Sequence, residues 1–246
     1  MKKLILILLF VPLVSFAQET DLIVNELMFK AEKEIENNNY SEAIKDLSQA
    51  IKLKPSSYKA YYLRGYSLGQ LNNPNHLKIL SDLNKFLNNS KEFSDELKGY
   101  VYYLKGISNT NLDDIKTARN DLKSSIDYYP EFAASYRFRA GINFEHFWDL
   151  GYKIHKKYYK AAKSLSALNS MLGYDIISDC EKSLELEPDN AYAYYIMGRF
   201  KERLALSLSD KSKWNIPRGW GCNDLKQGAI LGNKNSRQWY EESFCN

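Results

Sequence analysis

The side chains best suited to covalent or acid–base chemistry are few and scattered. There are three cysteines, Cys180, Cys222 and Cys245, and three histidines, His76, His146 and His155. None of the histidines has a His or Cys partner at the spacing that holds a metal ion on a helix, so neither a metal nor another cofactor is expected. The chain has no phosphate-binding glycine loop, no nucleophile elbow and no HExxH. Neighbouring acids such as Asp113-Asp114 and Glu241-Glu242 point apart on a helix or turn, which makes them poor general acid–base pairs. Recognition is the chemistry that remains. Nineteen tyrosines supply rigid area with a polar tip, and arginines supply planar donors.

The elements that must position these side chains follow from periodicity. In residues 37–55, Ala43, Leu47 and Ala50 share one helical face, and Pro55 ends the helix. The same grammar returns with Ala118, Leu122, Ser125 and Pro130, and with Ile176, Cys180, Ser183 and Pro188. Weaker copies carry Ile79, Leu83 and Phe86, then Leu225 and Gly228. Before each lies another helix with a small residue at its centre: Ala31, Gly65, Gly106, Ala140 and Gly198. Ala31 to Gly65 is 34 residues, and so is Gly106 to Ala140. Gly65 to Gly106 is 41, and Ala140 to Gly198 is 58, which marks insertions.

This pattern resembles the tetratricopeptide repeat (TPR) family, whose unit is a 34-residue helix–turn–helix. The resemblance implies an all-α, right-handed superhelical solenoid of about five helix pairs. Its repeats run over about 22–55, 56–90, 97–130, 131–188 and 189–233, with an insertion at 150–173 and a capping helix at about 234–245. Each thin pair shelters its apolar face against its neighbours. The family's inner face, transferred position by position, gives Met28, Glu32, Tyr62, Tyr66, Tyr103, Ile107, Arg137, Gly141, Tyr195 and Arg199. Lys59, Tyr100, Tyr192 and Arg203 lie on the edges. Each tyrosine has two readings, a groove for an extended peptide or helix, or packing between helices. The Lys/Asn clamp by which some members hold a C-terminal carboxylate is not reproduced, because Glu32 stands where an Asn is needed.

An aspartate precedes the core residue of every second helix: Asp46, Asp82, Asp121, Asp179 and Asp224. A basic residue precedes the small residue of most first helices: Lys30, Arg64, Lys105 and Arg139, with Met197 the exception. Stacking predicts inter-repeat pairs Asp46–Arg64, Asp82–Lys105 and Asp121–Arg139, and leaves Asp179 without a partner. Cys180 reads as a buried thiol. The start of one helix meets the end of the next in an antiparallel hairpin, which puts Cys222 and Cys245 within reach of a bridge; three free thiols are the alternative. The insertion carries an apolar stripe beside Lys153, Lys156, Lys157, Lys160 and Lys163. It reads as an added helix, or as long extensions of the fourth pair, with a solvated basic face, and is the only route to membrane contact. Trp214 and Trp220 either cap the core or form a sticky edge.

At the N-terminus, two lysines precede an apolar run from Leu4 to Val14, with Ser15 and Ala17 before Gln18. This is the layout of a signal peptide over residues 1–17, so the mature chain 18–246 is expected to be exported, periplasmic or secreted. Removing the leader leaves 32 basic and 30 acidic side chains, which favours no polyanionic partner. Nucleic acid is therefore not expected. The sequence reading is a non-catalytic scaffold that binds a protein or peptide in the cell envelope. A cell-wall or glycan binder using Tyr and Trp faces is the alternative, and an enzyme site beside the insertion is a minor one.

Overall fold

The computed structural model describes residues 2–149, 175–207, 219–242 and 245, with side chains over 18–146, 175–205, 219–242 and 245. Among these residues there are eleven α-helices and no strand. No helix among them is long and apolar enough to cross a membrane. The chain divides into two compact units, Met1–Asp114 and Ile115–Asn246, with the boundary inside the third expected repeat.

The first unit holds α1 (Lys2–Glu36), α2 (Tyr40–Leu53), α3 (Tyr58–Gly69), α4 (His76–Leu87) and α5 (Asp95–Asn111). Successive helices α1 to α5 pack against one another in order, and α1 also touches α3. Local sequence sets the ends. Asn75 caps α4 by accepting from the Lys78 amide at 3.0 Å, and Ser94 caps α5 by accepting from the Leu97 amide at 3.3 Å. Asn38 and Asp113 take φ of 61°, a left-handed conformation that Asn and Asp tolerate. One core cluster joins Ala31, Ala43, Leu47, Ala60 and Leu63, and a second joins Leu68, Ile79, Leu83, Phe86 and Val101. Gly65 shows why the small residue is needed: a Cβ there would lie 2.9 Å from Leu83 Cδ2.

The second unit holds α6 (Ile115–Tyr128), α7 (Ala133–Asp149), α8 (Ile176–Leu186), α9 (Ala191–Ser207), α10 (Cys222–Ile230) and α11 (Lys234–Glu242). Helix α7 packs on α6, α8 and α9, while α9 packs on α8, α10 and α11. Helices α7 and α8 pair although the insertion separates them. Their core is Ala140, Phe144, Ile176, Cys180, Ile196, Met197, Phe200 and Leu204. Burial pushes the Cys180 thiol well above its ordinary range, which suits a small core side chain rather than a nucleophile. Helix α11 covers the end of α10, where a Cβ on Gly228 would lie 3.0 Å from Ser236 Cβ.

The ion pairs correct the sequence expectation. Arg64 donates Nε and Nη2 to Asp82 at 2.8 and 2.7 Å, so neither Asp46–Arg64 nor Asp82–Lys105 is the pairing made. Asp46 is instead met by Lys30 at 3.0 Å. Arg139 donates Nε and Nη2 to Asp179 at 2.8 and 2.6 Å, which replaces Asp121–Arg139 and gives Asp179 its partner. Lys201, one turn beyond Met197, reaches Asp224 at 2.9 Å. Each pair thus lies within a hairpin. The cause is the close helix approach: a Cβ on Gly65 would be only 3.5 Å from Asp82 Cβ, so the adjacent Arg64 meets its own hairpin's aspartate first. Arg64 still touches the preceding hairpin, through Nη1 to Ser48 Oγ at 3.2 Å.

Candidate functional site

In the first unit, tyrosines of α2, α3 and α5 form a run of ring contacts. Tyr40, at the start of α2, lies 6.3 Å from Tyr66 in an edge-on arrangement. Tyr66 on α3 lies 6.5 Å from Tyr100 on α5, and Tyr100 lies 6.1 Å from Tyr103. All four rings are partly exposed. Separations of this order suit offset and edge contacts, which hold the rings in place before any ligand arrives. Burial raises the Tyr66 and Tyr100 phenols, so these side chains are neutral donors and acceptors at ordinary pH.

The other expected groove residues divide. Tyr62 packs between both core clusters of its unit, with its ring 5.7 Å from Phe86, and burial pushes its phenol up to about 12. It is chiefly a core side chain. Met28 packs on the cluster formed by α1, α2 and α3. Lys59 of α3 and Glu32 of α1 form an exposed ion pair at 2.6 Å.

In the second unit, Arg137 stands 3.9 Å from Glu187, and Tyr192 lies 6.1 Å from Tyr195. Gly141 leaves room for the Tyr192 ring: a Cβ there would lie 3.6 Å from its hydroxyl. Tyr195 also rests on the core cluster of this unit, and Arg203 is half-buried. Arg199 departs from the expectation. It is 6% exposed, with Cζ 3.3 Å from the Trp239 ring centroid and Nη1 3.3 Å from Glu202. It therefore ties α9 to the terminal helix and lines no groove. The family position pointed to a face that α11 covers, and nothing in the spacing of Trp239 announced that contact.

Cys222 and Cys245 are joined in a disulfide, with Cα atoms 5.4 Å apart. Glu202 lies beside them, and the three potential ligand atoms fall within 4.8 Å of one another. With the sulfurs bonded to each other, the thiolates a metal needs are not on offer. Trp220 packs against the core of the second unit, and Lys201 sits 5.7 Å from its ring centroid. Trp214 and the basic insertion at 150–173 lie outside the described residues.

Residues 32–72 match the family model for the TPR repeat. Among solved structures, a MamA crystal structure superimposes with a TM-score of 0.55 at 18% identity, covering 84% of this chain and 96% of its own. YrrB, described as a TPR protein with an unusual peptide-binding site, gives 0.57 at 15% identity, covering 87% of this chain and 90% of its own. The fold is that of the TPR proteins. At these identities the likeness carries the fold alone. A MamA double mutant gives the same result, with a TM-score of 0.58 at 13% identity over 85% of this chain and 94% of its own. No curated protein matches the sequence. Tyr66 sits on α3, Tyr100 and Tyr103 on α5, Arg137 on α7 and Tyr195 on α9.

Proposed function

We propose that the chain is a non-catalytic scaffold that binds a protein or peptide through the tyrosine-bearing face of its Met1–Asp114 unit, on α2, α3 and α5. The observation that carries this is the partly exposed run of Tyr40, Tyr66, Tyr100 and Tyr103. Rings braced by one another lose little freedom on binding, and each keeps a hydroxyl for an extended backbone. The peptide-binding description of YrrB supports the same reading.

The site of action proposed is the bacterial cell envelope, on the strength of the leader-like residues 1–17. N-terminal sequencing of the protein from fractionated cells tests this; an uncut chain in the cytosol would refute it. Crosslinking in envelope extracts followed by mass spectrometry tests the binding face. A defined protein partner lost in both Tyr66→Ala and Tyr100→Ala supports the proposal. Retention on insoluble cell wall with no protein crosslink would replace it with a glycan-binding role.

A further inference from the structure

Among the described residues, one group of sulfur and carboxylate side chains has metal-ligand spacing, and three separate elements build it. Glu202 comes from α9, Cys222 is the first residue of α10, and Cys245 follows α11. Their ligand atoms lie within 4.8 Å of one another, and Cys245 Sγ stands 3.7 Å from Glu202 Oε1. All three side chains are half-buried, so an ion has access.

The two sulfurs are bonded to each other. A dithiol reductant changes that. It gives up two electrons and two protons as its own disulfide forms, the Cys222–Cys245 bond breaks, and both cysteines become thiols. The Cα atoms, 5.4 Å apart, are close enough for both sulfurs to meet one ion. Tetrahedral zinc takes Zn–S of about 2.3 Å and Zn–O of about 2.1 Å, which sets S···O at about 3.6 Å and S···S at about 3.8 Å. The separation of Cys245 from Glu202 is already close to the first value, and side-chain rotation after the bridge opens reaches the second.

The surroundings favour such an ion. Cys222 stands at a helix N-terminus, where the dipole favours a thiolate. Arg199 donates Nη1 to Glu202 Oε2 at 3.3 Å, while Oε1 faces the sulfur. A ligating carboxylate is ordinarily held by an outer partner of this kind. Trp239, stacked on Arg199, fixes the guanidinium in turn. The charges of two thiolates and the Glu202 carboxylate are cancelled by a divalent ion together with Arg199, which suits a half-buried site. Lys201 and Asp224 nearby neutralise each other at 2.9 Å.

We propose that the reduced chain binds one zinc ion through Cys222, Cys245 and Glu202, with water as the fourth ligand, and that the ion then ties the C-terminal segment to α10 in place of the disulfide. The two thiols release their protons to solvent as they bind. Bridge and metal exclude each other. In an oxidising compartment the bridge prevails, so the metal form belongs to the chain before oxidation or after reduction. The ligands all lie in the Ile115–Asn246 unit, so the proposal does not depend on the tyrosine face.

The test uses the full chain, reduced with a phosphine that is then removed under argon, and titrated with Co2+ as a spectroscopic stand-in for Zn2+. One equivalent should give a thiolate-to-cobalt charge-transfer band, and Zn2+ should displace it, in keeping with the order of metal affinities. The oxidised chain should give no band. Cys245→Ser should abolish it, and Glu202→Gln should weaken binding about tenfold or more. Glu241→Gln, on the exposed side of α11, should leave it unchanged. Zn2+ should also raise the urea midpoint of the reduced parent, but not that of Cys245→Ser, because the ion binds the folded site. Absence of the band from the reduced parent overturns the proposal. So does a band that persists with the same affinity in Cys245→Ser or Glu202→Gln.

Discussion

Replacing Gly198 with alanine isolates the close helix approach on which every hairpin here depends. A Cβ at that position would lie 2.8 Å from Leu225 Cγ, 2.9 Å from Gly221 O and 3.1 Å from Leu225 N. Two of these are backbone atoms, so no rotamer change relieves the clash; α10 must move away from α9. Alanine gains about 1 kcal/mol of helix propensity over glycine. Overpacking against atoms that cannot step aside costs about 3 kcal/mol. The net loss is about 2 kcal/mol, or a fall in Tm of about 6 °C for a unit of this size. Gly69→Ala is the matched control, because its Cβ would meet only Ile79 Cδ1 at 3.9 Å. It should gain about 0.5 kcal/mol. All four tryptophans lie beyond Asp114, so urea unfolding followed by tryptophan fluorescence reports the Ile115–Asn246 unit alone. Far-UV circular dichroism follows both units. A Gly198→Ala chain that unfolds at the same or higher urea concentration than the parent would refute the packing argument.

Arg139→Met should cost about 3–5 kcal/mol in the same assay, because it leaves Asp179 unpaired with a side chain only 3% exposed. Lys30→Met should change the midpoint little, since Lys30 is 61% exposed and its charge stays in water. Reducing the bridge across 23 residues should cost the second unit about 3 kcal/mol by the chain-entropy model, seen as a lower urea midpoint with dithiothreitol; an unchanged midpoint refutes it. Alkaline pH should destabilise the first unit. Folded Tyr62 keeps its proton until about pH 12, whereas the unfolded phenol ionises near its ordinary value of 10.0. The stability is whole below pH 10 and falls as pH rises through this interval, because the native state then binds more protons than the unfolded one. Tyr62→Phe should flatten that fall, as measured by urea midpoints at pH 9 and pH 11.

Much of the architecture was legible because it repeats. Ala43, Leu47 and Ala50 announce a buried stripe, and the same spacing recurs often enough to separate helix pairs from chance. The capping residues Asn75 and Ser94 are equally local, since a side-chain oxygen has only to reach an amide two or three residues on. The pairing of charges was not legible. Asp82 stands between two candidate cations, one in its own hairpin and one in the next, and sequence order does not rank them. The tyrosine face was partly legible. The family resemblance treated Tyr62 and Tyr66 alike, yet Tyr66 is a partly exposed ring against Tyr40 and Tyr100, whereas Tyr62, one turn before it, belongs to the core.

By itself, the sequence determined which residues form helices, where glycine or alanine must stand, and which faces seek cover. These are properties of one turn or one hairpin, and backbone geometry ties them to spacing along the chain. The tertiary structure alone decided that Arg64 and Arg139 turn to their own hairpins, that Arg199 lies under Trp239, and that Tyr62 sits between two core clusters. Those outcomes depend on distances of a few ångströms between helices remote in sequence. Charge interactions and close packing change steeply over such distances, and no periodicity records them.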